Sequence, residues 1–364
     1  MFKRHIYFFI GTTAEFIKLA PVMNELQKRD IPFKIIATGQ TKIHFEEFSS
    51  FLGIVKPHIV LQEKINRPSV SFFLLWAIRT LLITPYVLQK EFKNIDKKNI
   101  YFIIQGDTVS SSIGALVAKI FGVTLVHIES GDLSFNIFEP FPEELCRYIN
   151  MYLADILFPQ NEWAKSNLKK ASGKKVNTKH NTLLESLRWA LKQPVSDKEI
   201  HKYKNYYILI LHRQEHVIFR REWSKTILRH IVTYAPDNLD CILLSYPITV
   251  ELINSLHIET HKRKKIKTIP RLSYPDFMKV MKGAKFIATD GCTNQLESYY
   301  LGVPCLALRD RTEQVEGLGE NVVLYKSSRN VVKDFMRNYK KYQRKPIFEK
   351  IKPSNIIVDY LVRN

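Results

Sequence analysis

Short, almost wholly apolar runs recur along this chain, each followed by a polar or glycine-bearing turn and then by a helical pattern. That alternation constrains the fold more than any other feature. Residues 6–10, 33–37, 100–104, 125–128 and 156–158 form one series, and residues 207–211, 241–245, 266–269, 286–288 and 304–308 form a second. Runs lacking a polar face belong to strands covered on both sides, and amphipathic stretches such as 15–28 and 110–121 supply the cover. The pattern predicts an α/β fold of two Rossmann-like, doubly wound domains, because the series stops and restarts. The polar, Lys-rich stretch 171–205 separates them. The predicted division is an N-terminal domain over 1–172, a C-terminal domain over 173–340, and a basic segment over 341–364 that packs back as a helix on the first domain.

A chain of 364 residues with 45% hydrophobic content can bury two such cores. The charge is less ordinary: 55 Lys and Arg against 35 Asp and Glu, a net +20. Such a surplus suits nucleic acid, an anionic membrane or an acidic small substrate. The basic run 261–267 and the tail 340–345 come with no nucleic-acid motif, so a nucleic-acid partner is not expected. Cys146, Cys241, Cys292 and Cys305 form no CxxC pair and no disulfide framework, which predicts a reducing, cytoplasmic setting. The apolar N-terminus runs directly into Gly11 without a cleavage site and reads as a first strand rather than a signal peptide. The apolar stretch 70–88 nears the length of a membrane span, but Arg79 at its centre and Pro85, which should interrupt the helix, favour a buried or interface helix.

Ligands of open α/β sheets bind where strand ends turn into helices. Gly11-Thr12-Thr13-Ala14-Glu15 opens a helix and allows two readings, a tight turn with a capped helix or free amides facing a phosphate, with Lys18 one turn on. No GxGxxG or GxxxxGK motif accompanies it, so dinucleotide and P-loop chemistry are unsupported. Asp107, Glu129 and Glu143 stand at or just after strand ends, where adjacent carboxylates suit proton transfer from carbon. Arg147 follows Glu143 at ion-pair spacing. His212 and Arg213 end the first strand of the second series. The loop Asp290-Gly291-Cys292-Thr293 can present amides to a diphosphate, with Glu297 a turn deeper to hold a ribose. No base neighbours Cys292 in sequence, so a catalytic thiol is unsupported. The pairs His212/His216 and His257/His261 lie in a loop and beside a cationic run, so no metal is expected.

Taken in order, these motifs resemble the UDP-N-acetylglucosamine 2-epimerases of the non-hydrolysing branch, which have a glycosyltransferase-B fold. The family's GTRPE with its Lys is similar to Gly11–Glu15 with Lys18, its TGQ to Thr38-Gly39-Gln40, and its HGDT to Gln105-Gly106-Asp107-Thr108. HVEAG matches His127 to Gly131, PEEANR matches Pro142 to Arg147, and GNT matches His180-Asn181-Thr182. HRRE matches His212 to Glu215, DSGGIQEE matches Asp290 to Glu297, and RDTTERPE matches Arg309 to Glu316. The resemblance implies an active site in the interdomain cleft. It implies elimination of UDP from UDP-GlcNAc to a 2-acetamidoglucal and re-addition to give UDP-ManNAc, without NAD or metal. It also implies catalytic roles for Asp107, Glu129, Glu143 and His212. Substrate or nucleotide contacts would fall to Lys18, Gln40, Arg147, Asn181, Arg213, Gly291, Cys292, Thr293 and Glu297. A homodimer acting in surface polysaccharide biosynthesis would follow, in the cytoplasm, with peripheral contact at an anionic membrane allowed by the charge. Thr13 and Gln314 stand where the family has arginine, and Gly291-Cys292-Thr293 stands for its Ser-Gly-Gly. These departures keep open an alternative: a glycosyltransferase of that fold, acting on a membrane-linked acceptor.

Overall fold

The protein is described from a computed structural model covering residues 4–54, 56–63, 70–197, 202–211, 221–245, 247–256, 262–263, 265–347 and 350–363. It divides into two units, Met1–Ser186 with Lys350–Asn364, and Leu187–Glu349.

In the first unit, strand and helix alternate as β1 (His5–Ile10), α1 (Thr13–Lys28), β2 (Phe33–Ala37), α2 (Ser49–Leu52), β3 (Ile59–Val60) and α3 (Val70–Glu91). They continue as β4 (Ile100–Gln105), α4 (Val109–Phe121), β5 (Thr124–Ile128), α5 (Glu143–Leu153), β6 (Ile156–Phe158) and β7 (Lys174–Lys175). The strands lie parallel in the order β3-β2-β1-β4-β5-β6-β7. Phe8 is in register with Ile35 on one side and Ile103 on the other. Every residue of β4 is buried, as expected of a strand covered on both faces. The order reverses between β1 and β4, so the loops following these two strands flank the unit's switch point.

The second unit repeats the scheme with β8 (Tyr206–Ile210), β9 (Asp240–Leu244), β10 (Ile266–Ile269), β11 (Ile287–Thr289), β12 (Cys305–Ala307) and β13 (Val322–Leu324). The parallel order is β10-β9-β8-β11-β12-β13, and the switch point falls between β8 and β11. Its core stacks Tyr207 on Phe286 at 4.7 Å, with Phe335 edge-on to Phe286 at 5.5 Å. Both units are doubly wound α/β, the architecture from which glycosyltransferase-B folds are built.

The predicted division at 172/173 falls inside the first unit. Strand β7 still pairs with β6, and the Thr182 hydroxyl and the Ser186 hydroxyl donate to the carbonyls of Lys18 and Ile17 on α1. The basic tail also divides differently. Arg344 N–H and Ile347 N–H donate to Gly302 and Tyr300 of the second unit at 3.1 and 2.8 Å, whereas the helix Pro353–Arg363 belongs to the first. There Arg29 pairs with Asp359 at 2.5 Å, and Ser354 N–H and hydroxyl donate to Glu185 at 2.8 Å each.

Helix α3 corrects one expectation, the break at Pro85, and narrows another, the buried or interface helix. It runs unbroken through Pro85, because one proline deletes a single backbone donor and the helix is anchored on both sides of it. It is also mostly exposed: Trp76, Thr80, Thr84 and Leu88, a stripe at every fourth position, are its buried residues. The helix is long and apolar enough to cross a membrane by length and composition.

Candidate active site

The carboxyl ends of the first sheet gather most of the predicted acids. Glu129 follows β5 with φ +64°, a left-handed conformation that costs a residue with a β-carbon about 1–2 kcal/mol. Its amide and that of Ser130 both donate to the Phe158 carbonyl, at 3.1 and 3.2 Å, which fixes the turn. Gly131 continues it at φ +87°, where a β-carbon would come within 2.2 Å of the Ala164 carbonyl. So turned, the Glu129 carboxylate receives Lys18 Nζ at 2.6 Å on one oxygen. Its other oxygen accepts from Gln105 Nε2 at 2.9 Å and Asn181 Nδ2 at 2.6 Å. Burial works against the charge on Lys18, but Glu129, with Asp107 and Asp132 beyond it, outweighs that and holds the ammonium above its usual range.

A second charge pair stands beside the first. Arg147, on α5, reaches Asp107 with one guanidinium nitrogen and Glu144 at 2.8 Å with the other. Glu144 is fully buried and accepts from the amides of Ser134 and Phe135 at 2.9–3.0 Å. Arg147 is thereby aimed by one acid at another. Glu143 opens the same helix, and it and Asp107 both bear on the buried Cys146 thiol, which burial chiefly pushes up to about 12. His127 lies beneath, its Nε2 donating to the Gly106 carbonyl at 2.8 Å. Burial lowers its pKa to about 4, so the ring is neutral at pH 7.

Of the two readings of the loop after β1, the structure takes the capped helix. Its Gly11 and Thr12 amides are both taken by Glu15 Oε2 at 2.7 Å, and Thr12 with Glu15 forms a capping box at the start of α1. The amides that the other reading offered to a phosphate are therefore occupied from within the chain. Gly11 itself is required by crowding, since a β-carbon would lie 2.0 Å from Ser110 Oγ. Gln40 is likewise held, its side-chain carbonyl accepting from Ser110 N–H and Oγ at 3.0 and 2.7 Å. Thr13 donates its hydroxyl to the Lys42 carbonyl at 2.9 Å.

In the second unit, Gly291 caps the helix Cys292–Leu301 after β11, where Thr293 occupies the first turn. Glu297, one turn deeper and buried, accepts from Asn294 Nδ2 at 2.9 Å. It joins burial in pushing the neighbouring Tyr274 phenol well up. Cys292 sits in a cluster that the sequence did not reveal. Its sulfur meets Arg309 Nη1 and Glu313 Oε1, and these two residues pair with each other at 3.0 Å. Gln314 contacts Glu316 through its side-chain amide. His212 and Arg213 lie outside the described residues. Among the described residues no group of three His, Cys, Asp or Glu side chains is placed to hold a metal ion.

Lys18, Asp107, Glu129, Arg147 and Asn181 thus form one charge-paired network at the strand ends of the first sheet, with Glu143 at its margin. Gln105 and Glu144, which lie within the motifs Gln105–Thr108 and Pro142–Arg147 without an assigned role, belong to it, and so does Asp132, which follows His127–Gly131 and was not singled out. Paired carboxylates on short leashes to cations can take up and return a proton at carbon while a leaving group's charge is neutralised nearby.

Comparison with known proteins points the same way. The family model described as UDP-N-acetylglucosamine 2-epimerase matches residues 24–361. The UDP-N-acetylglucosamine 2-epimerase of Methanococcus maripaludis is 30% identical over 340 residues, covering 86% of this chain and 85% of that protein. Its counterpart in Methanocaldococcus jannaschii is 28% identical over 361 residues, covering 93% of each. A crystal structure of the Methanocaldococcus jannaschii UDP-GlcNAc 2-epimerase in complex with UDP-GlcNAc and UDP matches with a TM-score of 0.81. That match has 26% identity and covers 99% of this chain and 100% of the other.

Proposed function

The chain belongs to the UDP-N-acetylglucosamine 2-epimerase family, and on that footing we propose that it interconverts UDP-GlcNAc, or a related UDP-N-acetylhexosamine, with its C2 epimer in surface polysaccharide biosynthesis. The observation that carries this reading is the network in which Lys18 pairs with Glu129 and Arg147 with Asp107 at one switch point. As the C1–O bond to UDP breaks, positive charge at C1 makes the C2 proton acidic. A carboxylate takes that proton, UDP departs with the bonding pair, and a 2-acetamidoglucal is left. Protonation at C2 from the opposite face and re-addition of UDP at C1 complete the epimerisation. We assign the proton transfers to Asp107, Glu129 and Glu143, with Lys18 and Arg147 balancing charge. His212 and Arg213 are assigned to the leaving diphosphate, together with the Gly291-Cys292-Thr293 turn, and Glu297 to the ribose. No bond change here is a net oxidation or reduction, so the reaction is proposed to need no NAD. Because protein cations are proposed to neutralise the leaving diphosphate, it is proposed to need no metal, so chelator treatment should leave its rate unchanged.

The decisive experiment is to incubate the protein with UDP-GlcNAc in D2O and follow C2 by NMR. Solvent deuterium at C2 and appearance of the manno epimer are expected. No exchange with any UDP-N-acetylhexosamine, together with transfer of the sugar to a lipid-linked acceptor, would establish the glycosyltransferase alternative instead.

A cytoplasmic homodimer is proposed as well. Helix α3 packs on α4 and α4 on α5, and their outer sides expose Ile78, Leu82, Leu116, Ile120, Leu145 and Tyr152. Apolar surface of that kind marks an interaction face, and a second copy of the chain is the occupant proposed. Light scattering should give twice the chain mass, and Ile78→Glu with Leu82→Glu should halve it. Peripheral contact with an anionic membrane, the competing use of this face and of the +20 charge, would show as flotation with anionic vesicles at low salt.

A further inference from the structure

We propose that Glu15 is a positioning residue that sets Asp107 in place for the epimerase reaction, an inference resting on the function just proposed. Glu15 is 1% exposed and lies in the first turn of α1. Its two oxygens look in different directions. Oε2 gathers the loop after β1, accepting from Gly11 N–H, Thr12 N–H and the Thr12 hydroxyl at 2.7, 2.7 and 3.0 Å. Oε1 crosses the switch point and accepts from the Thr108 hydroxyl at 2.7 Å. Thr108 immediately follows Asp107, and its hydroxyl in turn accepts from Ser111 N–H at 3.0 Å as the cap of α4. One buried carboxylate therefore joins the β1 loop, the Asp107 loop and the start of α4.

The consequence reaches the reacting groups from two sides. Lys18 stands three residues along α1, close to one turn on, and holds Glu129. The Glu15 link fixes the height of that turn relative to Asp107. Loss of the link frees the 105–108 loop at the residue next to Asp107, and a displacement of about 1 Å at a reacting group is worth about a hundredfold in rate. Substrate affinity, set by many contacts elsewhere, should move far less. A glutamine at this position can accept the two amides with its oxygen and face Thr108 with its nitrogen, so it preserves the link without the charge.

The test combines Glu15→Ala, Glu15→Gln, Thr108→Val and Thr108→Ser with a kinetic and a structural readout. In Glu15→Ala and Thr108→Val, kcat should fall by about 20- to 100-fold with KM within about threefold. Glu15→Gln and Thr108→Ser should stay within about threefold on both. Hydrogen–deuterium exchange at residues 105–111 should rise in the first two variants and not in the last two. A wild-type kcat in Glu15→Ala, or a Gln variant no better than Ala, overturns the proposal. If Glu15→Ala does not fold, the Thr108 pair decides. If the wild-type protein does not epimerise UDP-GlcNAc, the functional reading fails, and the exchange measurement still shows whether Glu15 orders the loop.

Discussion

Glu129 shows how much local arrangement stands behind one carboxylate. Its left-handed backbone is stabilised by two amide bonds to Phe158, and its side chain by Lys18, Gln105 and Asn181. Glu129→Gln and Asp107→Asn keep shape while removing charge, so C2 exchange should fall by about 10²–10⁴-fold. Calorimetry should still detect UDP binding in both. A wild-type exchange rate in either would overturn its assignment. His127 yields a prediction of a different kind. Its folded pKa, about 4, lies below the usual 6.5, so the unfolded chain binds the extra proton between those values. Stability should therefore drop as pH falls through that window, by a few kcal/mol at most, and His127→Gln should flatten the slope. Glu15 opposes it. Burial lifts its carboxyl to about 7, so its contribution declines as pH rises from 4.5 to 7, and Glu15→Gln should steepen the gain with pH. Denaturant melts at several pH values check both signs. The acids and cations were legible in the sequence because their chemistry is written in residue type and spacing. That Glu15 occupies the Gly11 and Thr12 amides was legible only as one of two readings, since Thr12-x-x-Glu15 fits the capping-box pattern, but its second bond, to Thr108, was not. The meeting of Cys292 with Arg309 and Glu313 escaped for a related reason, joining residues some 20 positions apart across a turn that no local pattern encodes.

The elements were read well where burial is symmetric and poorly where it is not. Ten strand cores were visible as apolar runs, but β3 and β7, two residues each, are too short to carry a pattern, and the edge strand β13 was missed as well. Helix α3 misled because apolar composition reports what a helix could cover, not how much of it a sheet covers. The sheet takes only the stripe through Trp76, and the outer side remains for another partner. Trp76 is the hinge of that packing, 3% exposed, with its indole N–H donating to the Thr38 carbonyl at 3.1 Å. Trp76→Ala should cost about 3–5 kcal/mol and loosen the loop bearing Gln40. A melt, with fluorescence from the remaining tryptophans, measures the first effect. Retention of full stability would mean that α3 is held by something other than this stripe.

At the scale of the whole molecule, the first unit is discontinuous and the second is not. Removing residues 350–364 strips from the first unit the Arg29–Asp359 pair, the Ser354–Glu185 bonds and the Phe158–Tyr360 edge contact at 5.8 Å. The truncated chain should lose the thermal transition of the first unit, or show it shifted down by several degrees, while the second unit's transition stays in place. Limited proteolysis should then cut the first unit first. The net charge takes its place at this scale too. Surface pairs such as Lys267–Asp240 and Lys341–Asp334 leave many cations over, and the few that belong to the site account for little of the surplus.

The return of the chain to its first unit also sets an order in time. During synthesis the unit that emerges first lacks its closing helix until Pro353–Arg363 has been made, after the whole of the second. At about 5–20 residues per second that wait is roughly 10–35 s, during which the side of α1 that packs on this helix has no cover of its own. The half of the protein that carries the acids is begun first and finished last, so a nascent-chain binding factor would find its target there rather than in the second unit.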